Sequence, residues 1–156
     1  MTDGSGDSRR LRLSDFLPYQ LAVLADGASR LLADAYAEQA KLTIPEWRVL
    51  AMISELDPAA ARDVVARTPM DKMTVSRAVV SLESKGLISR APSETDRRSS
   101  LLRLTSDGAV RFARVAELAL EQETRMLAVL TEAEKETLSK LVLKLSAHVE
   151  RLREED

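Results

Sequence analysis

Residues 71–105, DKMTVSRAVVSLESKGLISRAPSETDRRSSLLRLT, constrain the fold more than any other stretch. Asp71 is placed to cap a helix on which Val75, Ala78, Val79 and Leu82 share one face. Gly86 is the stop signal at its C-terminal end. GLISRA and SLLRLT are β-type runs, and the PSETDRRS between them is polar with no apolar anchor. Just upstream, AAARDVVART is a short Ala-rich helix ended by Thr68-Pro69. Two short helices joined by a tight turn, then a hairpin whose tip projects into solvent, make a winged helix-turn-helix pattern.

Long helical patterns flank this unit. Leu17, Leu21, Leu24, Ala28, Leu31 and Ala35 recur at steps of four and three, which predicts a helix running to about Lys41. Ser14 can cap it, with Pro18 tolerated in its opening turns. Gly27 costs up to about 1 kcal/mol there relative to Ala, and a close helix crossing would account for it. Thr43 and Glu46 form a capping box for a second helix, whose expected face is Ile44, Trp47, Leu50, Ala51 and Ser54. Asp57-Pro58 ends that helix and starts the next. After the hairpin, Thr105 caps a long helix, and Thr131 with Glu134 opens another carrying Leu138, Leu141, Leu145, Val149 and Leu152. The fold class is therefore mostly α with a small β-hairpin. The expected division is a mobile polar tail at 1–12, an N-terminal helix at 13–41, a winged helix at 42–105 and C-terminal helices at 106–156.

Composition narrows the function classes. The 156 residues include no cysteine and one histidine, His148, which argues against disulfides and transition-metal sites. No apolar run approaches the ~20 residues of a membrane span, and the N-terminus lacks the apolar stretch of a secretory signal. A cytoplasmic protein without a cofactor is expected. There is no glycine-rich phosphate loop and no nucleophile–histidine pairing at fixed spacing, so nothing points to an enzyme.

Net charge is −2, but it is unevenly spread. Residues 62–103 hold nine cations and five anions, a net +4, leaving −6 for the remainder. A basic region within an acidic body is the footprint of a local polyanion contact. With Val75, Ala78, Val79 and Leu82 inward, Met73, Arg77, Val80 and Ser84 point outward, and Thr74, Ser76 and Ser81 lie on the flanks. Arg77 can fork onto guanine, Val80 can meet a thymine methyl, and the small hydroxyls can hold phosphates or base edges. Lys72 and Met73, at the start of the same helix, belong to this set. Arg97 and Arg98 at the hairpin tip can enter a minor groove, with Asp96 pairing one of them, and Arg90 and Arg103 can reach phosphates. The competing readings are an ordinary amphipathic helix and a surface arginine–carboxylate cluster with Glu94 and Asp96. Helix and wing together favour DNA. A winged-helix protein-interaction module without DNA binding is the alternative.

LTIPEWRVLAMI, MDKMTVSRAVVSLESKGLISR and DRRSSLLRLTSDG resemble the MarR (multiple antibiotic resistance regulator) transcription factors, and the resemblance runs from about Leu13 to Leu152. It implies a homodimeric regulator, by default a repressor, whose terminal helices interlock and whose recognition helices enter successive major grooves of a near-palindromic double-stranded operator. It maps Thr74, Ser76 and Arg77 onto recognition-helix contacts and Asp96-Arg97-Arg98 onto the wing. PAAARDVV lacks the Ser or Thr that often caps the first helix of the motif. The residues support the dimer independently, because leucine stripes at both ends of the chain exceed what one small winged helix can cover. Many members of the family release DNA when a small aromatic or phenolic ligand fills a cleft beside the dimer helices. Tyr19, Arg30, Tyr36 and Trp47 are the candidate ligand residues, although a lone Trp on an apolar helix face is more often core. The absence of cysteine excludes release by thiol oxidation.

Overall fold

The structure, a computed structural model, describes residues 11–92 and 100–155. A single turn of 3-10 helix at Leu13–Asp15 leads into α1 (Leu17–Ala40). The residue at the N-cap position is Phe16, with no side-chain cap, so Ser14 does not fill the expected role. Pro18 explains this: its fixed φ suits only the first helical turn, which sets the start at Leu17 and leaves Ser14 too far upstream. Ser14 instead donates to Asp15 at 3.2 Å. A Cβ on Gly27 would meet nothing within 4 Å, so no helix of the same chain crosses closely there.

α1 ends at Lys41, whose φ of 53° is left-handed. Its last carbonyls are met by cations from elsewhere: Arg111 donates to Ala40 O at 2.5 Å and Lys85 to Lys41 O at 3.0 Å. Positive charge at a helix C-terminus also answers the helix dipole. The chain then turns into α2 (Ile44–Leu56), where the capping box forms as the spacing predicts. Thr43 Oγ1 accepts from the Glu46 amide at 3.4 Å, and Glu46 Oε2 accepts from the Thr43 amide at 2.7 Å.

The buried face of α2 is Glu46, Val49, Leu50 and Ile53, rotated from the expected face. Both α4 (Lys72–Ser84) and α5 (Ser106–Leu127) pack against α2, so no single apolar stripe marks its inner side. Pro58 does not lead straight into a helix either. Ala59–Ala60 form a two-residue strand, β1, before α3 (Ala61–Arg67). The N-cap of α3 is Ala60, with no side-chain cap, consistent with the missing Ser or Thr. After the turn comes α4 (Lys72–Ser84), then β2 (Ile88–Pro92) and β3 (Ser100–Leu104). The sheet is antiparallel in the order β1-β3-β2, with Ala59 opposite Leu102 and Ile88 opposite Leu104.

One cluster joins these elements. Tyr36 of α1, Val49, Leu50 and Ile53 of α2, Val64 of α3, Val75, Val79 and Leu82 of α4, Leu102 of β3 and Val115 of α5 are all essentially inaccessible. α5 (Ser106–Leu127) is anchored by Thr105, which accepts from the Gly108 amide at 3.0 Å and donates to Gly86 O at 2.7 Å. α6 (Glu132–Glu155) opens with the Thr131–Glu134 capping box and has no buried residue.

Gly108 lies where α5 begins against Leu87, and a Cβ there would fall on the Leu87 carbonyl, 2.9 Å from its carbon. Backbone cannot move aside as a flexible side-chain tip can. Gly108→Ala should therefore lower the unfolding free energy by about 1–3 kcal/mol, read from urea midpoints at unchanged slope. An unchanged midpoint would contradict this close approach.

Candidate nucleic-acid interface

The presented face begins with the cap of α4. Asp71 Oδ1 accepts from the Thr74 amide at 2.7 Å, and this bond is the main reason the Asp71 carboxyl titrates below the ordinary range. Four inward side chains then set the rotation of α4: Val75, Ala78, Val79 and Leu82 are each at most 4% exposed. Helical geometry sends the remaining positions out. Lys72, Ser76 and Arg77 are exposed, Met73 and Val80 are 62% and 60% exposed, and Thr74 lies at the edge. Two apolar side chains in water flanking an arginine make a surface unsuited to solvent alone. Its chemistry matches a major groove, which offers guanine acceptors and thymine methyls.

Two of the expected contacts have other partners. Ser81 turns toward α2, where its hydroxyl donates to Glu46 Oε1 at 2.5 Å. Arg90 on β2 forks onto Glu83 of α4, with Nε to Oε1 at 3.2 Å and Nη2 to Oε2 at 2.9 Å, and its Nη1 donates to Ser100 Oγ at 3.2 Å. It ties the base of the hairpin to the recognition helix. Arg103 is exposed on β3. Glu94, Asp96, Arg97 and Arg98 lie outside the described residues.

The interaction that sequence reasoning missed is centred on Glu46, whose side chain is 4% exposed. Beyond the Thr43 and Ser81 bonds, Oε1 accepts from Lys85 Nζ at 2.6 Å. Burial raises the carboxyl's pKa, but the hydrogen bonds from Lys85, Ser81 and Thr43 and the Lys85 charge more than offset this, leaving it below the ordinary glutamate value. The sequence marked Glu46 only as a capping residue. Its partners lie 35 and 39 positions away, a distance no local pattern reports.

A second feature is a cavity of about 310 Å³ between α1, α2 and α5, lined mainly by Ala28, Leu31, Leu32, Trp47, Leu120 and Met126. Of the four candidate ligand residues, Trp47 lines it. Trp47 stacks on Phe112 with centroids 5.5 Å apart and meets Tyr36 at 5.9 Å. Tyr36 is 1% exposed within the core, and burial raises its phenol pKa despite the nearby Arg48 charge. Tyr19 is 45% exposed, and Arg30 pairs with Asp26 at 2.7 Å on the outer surface of α1. The structure thus brings Trp47 and Tyr36 together and leaves Tyr19 and Arg30 apart from them. His148 is exposed on α6, and no group of three or more His, Cys, Asp or Glu could hold a metal among the described residues.

Helix, turn, recognition helix and hairpin on one core define a winged helix-turn-helix protein. Residues 40–99 match the profile of the MarR family. The HTH-type transcriptional repressor IacR of Pseudomonas putida is 27% identical over 135 residues, spanning 86% of this chain and 80% of that one. A MarR/EmrR family transcriptional regulator from Acinetobacter sp. ADP1 superposes with a TM-score of 0.82 at 26% identity, over 90% of this chain and 99% of that one. BpsR of Bordetella bronchiseptica, whose DNA binding is regulated by 6-hydroxynicotinic acid, superposes at 0.79 with 23% identity, over 88% of this chain and 97% of that one. The profile match spans the winged helix, and over most of its length the chain is similar to MarR-type regulators, as the motifs at the helix and wing implied.

The Glu46 cluster carries a pH signature. Its folded-state pKa lies below the unfolded value of about 4.3, so its stabilisation is complete above that value and is lost as pH falls through the folded pKa. Glu46→Gln should remove this part of the acid dependence. Urea midpoints of wild type and variant should converge as pH is lowered from 6 toward 3, and parallel profiles would contradict the assignment.

Proposed function

We propose that this chain is a homodimeric, sequence-specific DNA-binding transcriptional regulator, a repressor released by a small aromatic or phenolic effector. The observation that carries the reading is the outer face of α4: Arg77 exposed between Met73 and Val80, beside Lys72, Thr74 and Ser76, on a winged helix that matches the MarR profile. IacR is a transcriptional repressor, and BpsR responds to an aromatic acid in its DNA binding. Arg97 and Arg98 are the proposed minor-groove residues of the wing. Arg90 serves mainly to hold the wing against α4, and Ser81 acts through Glu46.

The domain roles follow from the same surfaces. α6 is 24 residues long with none buried, and isolated helices are marginal in water without packing. It exposes Leu138, Leu141, Leu145, Val149 and Leu152, while α1 exposes Leu17, Leu21 and Leu24. A second copy covering both stripes assigns 13–41 and 106–156 to dimerisation and 42–105 to DNA. Two-fold pairing places two recognition helices about 34 Å apart, one turn of a near-palindromic operator. No helix among the described residues is long and apolar enough to cross a membrane, in keeping with a cytoplasmic regulator. The effector site is the cavity at Trp47, whose aromatic wall and apolar lining suit a flat ring.

Selection of duplexes from a random library, followed by binding titrations at two salt concentrations, tests the DNA reading. A salt-sensitive, near-palindromic site is expected. Failure to select any site would favour a protein-interaction module. Arg77→Ala should weaken binding to the selected site by about 1–3 kcal/mol and blur base preference in each half-site. Leu145→Asp should shift sedimentation from dimer to monomer, and a variant that sediments as wild type would refute the proposed interface.

A further inference from the structure

Glu46 does more than a capping box requires. The box at Thr131 uses an exposed glutamate that accepts from the amide and hydroxyl of that threonine. Glu46 is buried and gathers donors from three places: the Thr43 amide, the Ser81 hydroxyl and the Lys85 ammonium. Burying a carboxylate is costly unless it is paired and fully hydrogen-bonded, which it is here. Lys85 also donates to Lys41 O, at the left-handed end of α1. One ion pair thus joins the end of α1, the start of α2 and two points on the α4 segment.

Those two points, Ser81 and Lys85, are four residues apart and lie on the same side of the helix axis. Arg77 is four residues before Ser81 along that row. Burial of Val75, Ala78, Val79 and Leu82 sets which face of α4 turns inward, and directional contacts at its edge fix the fine rotation. Hydrogen bonds to a fixed carboxylate are directional. A rotation of α4 about its axis would sweep Arg77 sideways and break the Ser81 and Lys85 bonds together.

We infer that Glu46 is a positioning residue for base readout: it clamps Ser81 and Lys85, fixes the rotation of α4 and so aims Arg77, Met73 and Val80. It touches no DNA itself. The inference rests on the DNA-binding reading above and adds to it the element that makes binding sequence-specific.

The test uses the full-length chain as wild type, Glu46→Gln, Lys85→Met and Lys85→Arg. Each is titrated with the duplex selected by wild type and with a scrambled duplex of equal length. Glu46→Gln and Lys85→Met should lose about tenfold in affinity for the selected duplex, the order of one weakened base contact. Affinity for the scrambled duplex and the salt slope should stay close to wild type, because phosphate contacts set them. Lys85→Arg should restore most of the selectivity. A purely structural role would weaken binding to both duplexes alike, and that result would overturn the inference. Residual dipolar couplings of the 72–84 amides, referenced to α5 in DNA-free protein, supply a separate readout. Glu46→Gln should change them, and unchanged couplings would also overturn it. A wild type that selects no duplex would sink the DNA reading, while the couplings would still decide whether Glu46 sets the helix orientation.

Discussion

The inner face of α4 is the contact on which the rest depends. Val75, Ala78, Val79 and Leu82 are buried in the same core cluster as Val49, Leu50 and Ile53 of α2 and Val64 of α3. A helix has one phase, so burying those four dictates what faces out. Met73, Arg77 and Val80 are exposed because the others are not. The core and the candidate DNA surface are two consequences of a single helical register.

Electrostatics refines what packing leaves loose. The cations that cluster in residues 62–103 are not all spent on one surface. Lys85 is turned inward to Glu46 and the end of α1, and Arg90 is held by Glu83 and Ser100. Arg111 meets the neighbouring carbonyl of α1. The Lys85 and Arg111 bonds meet at the joint between α1 and the winged helix, and Trp47, next to Glu46 in sequence, lines the cavity.

Elements with local signals were legible in the sequence. Thr43 with Glu46, Asp71, Thr105, and Thr131 with Glu134 all cap the helices that their spacing predicted. The inward set on α4 and the two hairpin strands also followed from periodicity. Non-local features did not. β1 is two alanines with no pattern of their own, made a strand only by pairing with Leu101 and Leu102. The face of α2 was misread because a helix covered on two sides has no single stripe. Glu46 drew attention only for its capping role, since Ser81 and Lys85 reach it through the fold. Tyr19 and Arg30 share α1 with Tyr36 but not its inward direction, and the cavity walls from α5 had no signature near Trp47.

The central claim is that two copies of α4, held at a fixed separation, read two half-sites in the major groove. Methylation protection at guanine N7 on the selected duplex tests it most directly, because N7 lies on the major-groove edge that Arg77 would contact. The account predicts two protected clusters on one face of the duplex, centred about 10 base pairs apart. A single cluster, or unprotected guanines in a duplex that is nonetheless bound, would contradict it.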